Sequence, residues 1–329
     1  MKRFYKILIL ISCFVLVFTG CHTSMSNTDK RINNQIVATT YLEQQISCNG
    51  HSLYDYSLTN GNDCIDKIYK FESDPYNFID DQNYLEENYT VKYEYSFLDG
   101  NKHNNIRVQK YSRDRNDEHP WYCMQFIFMK DIDKKEKLAV YKSFEIGTNG
   151  SIWDNEYFGY SYDDNGRLIN MMYDDLGHEN YFYYDEEDFL SCRTFGDDVA
   201  YYSYEKDESG NILSVKKTDD YDLLGRYNYE YDSNNHIISE KSYTFKNNAE
   251  EHLSETKTFS YNEDGNISII SIETYDSDTE SYKSTSKNYY YNSNNNISQI
   301  ITEKNGKTEY MLFVYSENPP SYHIESDGQ

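Results

Sequence analysis

The side chain of this sequence that is best suited to contacting a ligand is tyrosine, which occurs 37 times among 329 residues. An exposed tyrosine ring on a flat sheet can stack against the face of a sugar, whereas a ring turned inward fills a core. Tyr183, Tyr201 and Tyr290 are the candidate ligand contacts, because they have the opposite strand parity from a second, regularly repeated set of tyrosines. Their spacing predicts a binding surface.

Motifs of catalysis or cofactor binding are missing from the sequence. It contains no His-Glu-x-x-His, no Gly-x-Ser-x-Gly, no phosphate-binding loop and no dinucleotide fingerprint. The acidic segment 262–266 offers the oxygen ligands that calcium prefers, but it lacks the alternating pattern of an EF-hand loop, and turn formation explains its composition. A glycosidase-like pair of carboxylates is compatible with so acidic a chain, although no pair stands out. We therefore expect no catalytic residue, no metal and no cofactor.

One short phrase recurs six times in the second half of the chain. It consists of an aromatic residue, any residue, Tyr, a polar turn, and then Leu or Ile. The first aromatic residues are Tyr160, Phe182, Tyr202, Tyr229, Phe259 and Tyr289, the tyrosines are Tyr162, Tyr184, Tyr204, Tyr231, Tyr261 and Tyr291, and the aliphatic residues are Leu168, Leu190, Ile212, Ile237, Ile267 and Ile297. Residues two apart on a strand share a face. Both aromatic positions of each copy should therefore face the core.

The polar stretch in each copy has the composition of a tight hairpin turn. An Asp or Asn opens it, and its side chain can bond the backbone two residues on. The residue three positions later is Gly166, Asp188, Gly210, Asn235, Gly265 or Asn295. These residue types best tolerate positive φ, so this position is predicted to be left-handed and to form the bulge of the hairpin. Each copy is therefore predicted to be a β-hairpin, and stacking of the hairpins should bury their apolar faces.

The third copy has two extra residues, Glu205 and Lys206, between Tyr204 and the turn. An even insertion preserves the face on which the aromatic pair lies, whereas an odd insertion would reverse it. The aromatic pair of this copy should therefore keep its original orientation.

The repeated phrase resembles the YD repeat of the RHS and teneurin families. The match is close in 162–168 and looser in 291–297, and the similarity covers about residues 155–316. The resemblance implies a fold that is all-β, with antiparallel β-hairpin repeats stacked into a long, twisted or coiled sheet, which in some relatives forms a shell around a toxin. It also implies links with glycan or cell-surface binding, and it transfers no catalytic residue.

The N-terminus is predicted to be a lipoprotein signal peptide. Three positive charges lie within 1–6, an apolar run covers 7–18, and two small residues follow. The apolar run is too short for a confident membrane span. Phe18-Thr19-Gly20-Cys21 resembles a bacterial lipobox, although Phe18 stands where Leu is usual, and this resemblance implies lipid attachment at Cys21. Ordinary secretion is the alternative.

The acidity of the chain excludes one class of partner. Removing the three positive charges of 1–20 from the formal net charge of −25 gives −28 for the mature chain. A surface of this charge repels nucleic acid and anionic headgroups. The aromatic content of 17% argues against disorder. The acidity is explained by a solvated outer face, with a cation-binding surface as the alternative.

The part of the chain before the repeats is predicted to be β-rich. Val91–Tyr95 with 98–100 resembles a degenerate repeat, 106–111 is its expected partner, and 121–129 and 137–146 are predicted as two further strands. Cys48, Cys64, Cys123 and Cys192 remain after the signal and Cys21 are set aside. They form disulfides or remain buried thiols, and the sequence does not decide between these.

These observations predict five segments. They are a signal peptide at 1–20, a lipidated cysteine and tether at 21–45, a β-rich part at 46–150, the YD-like repeats at 151–316 and a tail at 317–329. We expect an extracytoplasmic lipoprotein that is anchored to the bacterial membrane and binds a glycan or an envelope protein without catalysis. A structural role in envelope assembly, a fragment of a toxin shell and a hydrolase are the alternatives. The sequence does not predict the oligomeric state.

Overall fold

The computed structural model describes residues 64–75, 80–98, 105–113, 120–130, 136–147, 151–165, 167–173, 178–220, 222–246, 250–316 and 321–322. The signal peptide, Cys21, Cys48 and the tether lie outside the described residues. The fold is all-β and consists of antiparallel hairpins stacked into a long sheet, as the sequence predicts.

The described part of the chain contains nineteen strands and one short helix. The strands before the repeats are β1 Cys64–Phe71, β2 Val91–Leu98, β3 Asn105–Ser112, β4 Tyr122–Lys130 and β5 Glu136–Ile146, with helix α1 at Gln82–Asn88. The strands from the first repeat onward are β6 Ile152–Tyr162, β7 Leu168–Tyr173, β8 His178–Tyr184, β9 Leu190–Phe195, β10 Asp198–Lys206, β11 Ile212–Thr218, β12 Leu223–Tyr231, β13 Ile237–Lys246, β14 Glu250–Tyr261, β15 Ile267–Asp276, β16 Ser281–Tyr291, β17 Ile297–Lys304, β18 Lys307–Ser316 and β19 Ser321–Tyr322.

The described residues fall into two compact units. The repeat unit contains Phe182–Asn288 and Glu303–Gly306. The flanking unit contains the described residues of Thr59–Tyr181, Tyr289–Thr302 and Lys307–Gln329. Within the repeat unit, β9 to β16 pair successively as an antiparallel meander.

In the flanking unit, antiparallel pairing runs in the order β18, β1, β2, β3, β4, β5, β6, β7 and the first half of β8. β19, which lies in the predicted C-terminal tail, pairs in parallel with Phe97 and Leu98 of β2. The strands β2 to β5 agree with the predictions from the sequence. The sequence reasoning missed β1 and α1, where the apolar residues follow no hairpin pattern.

The hairpin turns have the predicted geometry. In all six copies the opening Asp or Asn accepts hydrogen bonds from the backbone N–H groups two and four residues on. The predicted left-handed residues have positive φ at Asp188, Gly210, Asn235, Gly265 and Asn295. Gly166 lies outside the described residues. The turns therefore follow from local side-chain chemistry.

Three of the repeated tyrosines connect their hairpin to the preceding one. The hydroxyl of Tyr204 donates to the Leu190 carbonyl at 2.6 Å, that of Tyr231 to the Ile212 carbonyl at 2.9 Å, and that of Tyr261 to the Ile237 carbonyl at 2.7 Å. The rings are half-buried, so the hydroxyl keeps a polar partner where water is scarce. Tyr315 makes the same bond to Ile297 at 2.7 Å, which identifies 313–315 as a further copy of the aromatic pair.

The two-residue insertion in the third copy acts as predicted. Tyr204 stays on the covered side of β10, and Lys206 takes the register position opposite Ile212 that Tyr231 takes opposite Ile237. The ammonium of Lys206 lies 3.6 Å from the centroid of the Phe189 ring. The insertion therefore lengthens the hairpin without reversing its faces.

A buried aromatic row holds the flanking unit together. Phe126, Tyr141 and Phe158 pair directly across β4, β5 and β6, with ring centroids 5.2 and 5.9 Å apart. All three are at most 1% exposed. Tyr173 on β7 extends the row, with its ring 4.8 Å from that of Phe158.

Cys123 and Cys192, two cysteines whose side chains the structure describes, are free thiols. Cys123 is buried, and burial raises the pKa of its thiol. The Arg107 Nε–H donates to its sulfur at 3.2 Å. Cys123 therefore behaves as the small buried hydrophobe that was one of the two expectations.

Candidate functional site

The candidate site in the repeat unit is the exposed side of β8 and β10, because it carries two of the predicted ligand contacts. Tyr183 is 51% exposed and Tyr201 is 42% exposed. Their neighbours along the strands, Phe182 and Ala200, are buried on the opposite side. The parity of the strands therefore presents these two rings to solvent, as the sequence predicts, and their role as ligand contacts stays a prediction.

Polar groups surround the two exposed tyrosines. Tyr201 lies opposite Cys192 on β9, and its hydroxyl is hydrogen-bonded to Asp220. This bond to a carboxylate raises the pKa of Tyr201 above its ordinary value. The Ser191 hydroxyl donates to the Tyr183 carbonyl at 3.1 Å. The surface therefore combines flat rings with hydroxyl and carboxylate groups, which are the groups that a sugar can stack on and bond to.

The third predicted contact, Tyr290, belongs to the flanking unit. It is 47% exposed, whereas the preceding residue Tyr289 is buried. The alternation on β16 is therefore the same as on β8 and β10.

A second group of aromatic rings, at the ends of β14, β15 and β16, was missed by the sequence reasoning. The rings of His252 and Tyr275 stack with centroids 5.4 Å apart, and Tyr275 meets the edge of Tyr282, also at 5.4 Å. The Tyr282 hydroxyl donates to the Leu253 carbonyl at 3.1 Å. The sequence feature that could have revealed this group is the pair Tyr275 and Tyr282. The two residues are at similar distances on either side of the turn between β15 and β16, and they pair across it.

Carboxylates do converge on the covered side of the repeat unit, but a single lysine lies between them and pairs with both. Lys257 Nζ lies 2.9 Å from Glu240 and 2.8 Å from Glu255, and all three side chains are nearly buried. Thr274 donates to Glu255 at 3.3 Å. Burial alone would lower the pKa of Lys257, but the two carboxylates raise it overall. This arrangement pairs the buried charges of the covered face with one another.

In the flanking unit, a charged cluster fixes α1 against the sheet. The Glu86 carboxylate accepts from Lys67 at 2.6 Å, from the Tyr69 hydroxyl at 2.7 Å and from Lys92 at 3.0 Å. Burial alone would raise the pKa of Glu86, but these hydrogen bonds lower it to about 2. Lys92 also contacts Glu94 at 2.7 Å. The cluster is fully paired and explains how a seven-residue helix is held.

Within the described residues, no group of three side chains is placed to hold a metal ion. No helix in the described ranges is long and apolar enough to cross a membrane.

Comparisons with known proteins show a likeness of structure but not of sequence. No family model matches the chain, and no curated protein matches it. Similar solved structures include TcdB2-TccC3-Cdc42, with 14% identity over 68% of this chain and 12% of that chain, at a TM-score of 0.30. TcdB2-TccC3 without its hypervariable C-terminal region matches with 13% identity over 67% of this chain and 14% of that chain, at a TM-score of 0.30. A porin-like protein from Bacteroides uniformis matches with 10% identity over 77% of this chain and 96% of that chain, at a TM-score of 0.39. This chain thus spans about an eighth of the length of the TcdB2-TccC3 chains.

Proposed function

We propose that this chain is a lipid-anchored, YD-repeat-like protein of the bacterial cell surface that binds a glycan or an envelope component through exposed tyrosines, without catalysis. The observation that carries the proposal is the exposed position of Tyr183 and Tyr201, the second of which is hydrogen-bonded to the Asp220 carboxylate. Large exposed apolar groups ringed by polar groups are typical of binding surfaces. Aromatic rings also bring large contact area at low entropic cost.

A second observation favours binding over hydrolysis. Glycoside hydrolysis needs one carboxyl group that can hold a proton beside a second that stays ionised. Glu240 and Glu255 converge in the repeat unit, but both pair with the same Lys257 ammonium, at 2.9 and 2.8 Å, and all three side chains are nearly buried. They are therefore suited to holding the sheet together.

The binding proposal is tested with the purified full-length chain, screened against a glycan array and against bacterial envelope fractions. Replacing both Tyr183 and Tyr201 by Ala should weaken the binding that the screen detects by at least about tenfold, because two stacking rings are lost. The matched control is Leu213→Ala, which removes an exposed apolar side chain of similar exposure from the same unit. Equal binding by the double variant and the wild type would overturn the proposed surface.

The anchoring proposal rests on the sequence alone, since Cys21 lies outside the described residues. Cys21→Ala should abolish metabolic labelling by a fatty acid and move the protein from the membrane fraction to the soluble fraction. Attachment of more than one acyl chain would make the anchoring stable. Labelling that persists in the variant would contradict the proposal.

A further inference from the structure

Two positively charged side chains lie on the covered face of β9, β10 and β11. Arg193 pairs with Ala200, and Lys217 pairs with Tyr202, so both cations project from the face that carries Ala200 and Tyr202. Their Cα atoms lie diagonally across β10. From the spacing of the strands and the rise per residue, the two atoms are about 12 Å apart. The long side chains can span this separation and converge over β10.

A small residue lies directly opposite each of these two cations. Ala200 lies directly opposite Arg193, and Gly225 on β12 lies directly opposite Lys217 and presents no side chain. A Cβ at Gly225 would lie 4.0 Å from the Tyr227 hydroxyl, so this hydroxyl borders the space beside Lys217. The register therefore groups two cationic side chains and one phenolic hydroxyl around two small residues.

The electrostatics of Lys217 differ from those of Lys257 in the same unit. The pKa of Lys257 is raised overall by Glu240 and Glu255, which satisfy its charge. The pKa of Lys217 is lowered by burial and then by the nearby positive charge of Arg193. Among the residues that the structure describes, no carboxylate contributes to that shift, although the chain has 56 acidic residues against 31 basic ones. A partly buried cation gains most from an anionic partner.

We propose that Arg193 and Lys217, with the Tyr227 hydroxyl, form a binding niche for an anionic group of a small ligand. A planar guanidinium and an ammonium suit carboxylate, sulfate or phosphate oxygens, and the phenol adds a third donor. Tyr202 and Tyr227 flank the niche, which favours a ligand that carries its charge on a flat or ring-shaped body, such as the carboxylate of an acidic sugar. The niche lies on the opposite side of β10 from Tyr201, so it is independent of the proposed surface.

The test uses titration calorimetry on the full-length chain with three probes at equal ionic strength. The probes are sodium glucuronate, inorganic phosphate and glucose. Lys217→Gln removes the charge but keeps the length of the side chain. Lys216→Gln is the matched control, because Lys216 is the next residue, points to the other face and pairs with Glu205 at 2.7 Å.

We expect glucuronate or phosphate to bind the wild type and the Lys216→Gln variant equally, and to bind Lys217→Gln at least about tenfold more weakly, through the loss of one charge-assisted contact. Glucuronate binding tighter than phosphate would identify the acidic sugar as the ligand class, whereas the reverse would identify a phosphate group. The proposal is overturned if neither anion binds at millimolar concentration, if glucose binds as well as glucuronate, or if both lysine variants bind equally. Loss of envelope binding in the tyrosine variants leaves this result unchanged, so the two proposals fail separately.

Discussion

Aromatic residues line both compact units, but the rings are held in place by different interactions in the two units. In the flanking unit, Phe126, Tyr141 and Phe158 contact one another ring to ring in a fully buried row. In the repeat unit, Tyr231 and Tyr261 are only half-buried, and each is held by a hydroxyl bond to the carbonyl of the preceding repeat. The rings of the first row are fixed by packing, and those of the second by one directional bond per repeat.

This difference explains why the bonded tyrosines recur regularly in the sequence, whereas the residues of the packed row do not. A hydrogen bond from a tyrosine hydroxyl to a backbone carbonyl requires the same residue at the same place in every repeat, because hydrogen bonds allow only a narrow range of distances and angles. A packed row requires only large apolar rings that pair across strands, and the intervals between them can vary with loop length. Repetition in the sequence therefore marks the bonded tyrosines, whereas the buried row is visible only in the structure.

Breaking the packed row should have the largest effect. Phe158→Ala removes a ring that contacts Tyr141, Tyr160 and Tyr173, and it should cost about 3–5 kcal/mol, as for other buried aromatic residues. Chemical denaturation measures the loss. Phe158→Leu is the control that keeps apolar volume and should cost much less. A cost for Phe158→Ala below that of Tyr261→Phe would show that the row is not the main support of its unit.

Distorting a turn of the repeat unit should have an intermediate effect. Gly265 has φ of +80°, and the nearest atom to an added Cβ is the His236 Nε2 at 3.8 Å, so space is available and the backbone is the obstacle. Gly265→Val should therefore cost about 1–3 kcal/mol. Gly265→Asn should be mild, because Asn235 and Asn295 adopt positive φ at the equivalent positions. Equal melting temperatures for the two variants would reject the turn assignment.

Removing one hydrogen bond of a tyrosine hydroxyl should have a smaller effect on stability. Tyr261→Phe keeps the ring stacked on His236 but loses the bond to the Ile237 carbonyl, which should cost about 0.5–1.5 kcal/mol near neutral pH. Burial raises the pKa of Tyr261 from 10 to about 12. A raised pKa stabilises the fold below pH 10, and this contribution is lost as the pH rises toward 12. The difference in stability between wild type and Tyr261→Phe should shrink over this pH window, and a constant difference would contradict the assignment.

Truncating an exposed ring should have the smallest effect. Tyr290→Ala removes a side chain that is 47% exposed, and it should change the free energy of unfolding by about 0.5 kcal/mol or less. Tyr261→Ala is the matched comparison, because Tyr261 lies on the covered face of the sheet, and it should be clearly more destabilising. Equal losses in thermal unfolding would mean that both sides of the sheet are covered, which would remove the support for an exposed aromatic surface.

The sequence predicted the hairpins well because their causes are local. Asp232 accepts bonds from residues 234 and 236, and Asn235 tolerates positive φ, so the turn forms from neighbours in the chain. Alternation with period two then predicted that Tyr183 would be exposed while Phe182 is buried. Helix α1 escaped prediction because its support comes from Lys67 and Lys92 on two strands, which meet Glu86 only after folding.

The sequence by itself determined the turns, the strand parity and the recurrence of the bonded tyrosines, since each depends on residues a few positions apart. The tertiary structure decided which charged groups meet. Lys257 lies between Glu240 and Glu255 because β14 pairs with β13, whereas Lys217 lies with Arg193 because β9, β10 and β11 are neighbours. The Lys257–Glu240 and Lys217–Arg193 pairs join residues 17 and 24 positions apart, and only the register of hydrogen-bonded strands brings such side chains near each other.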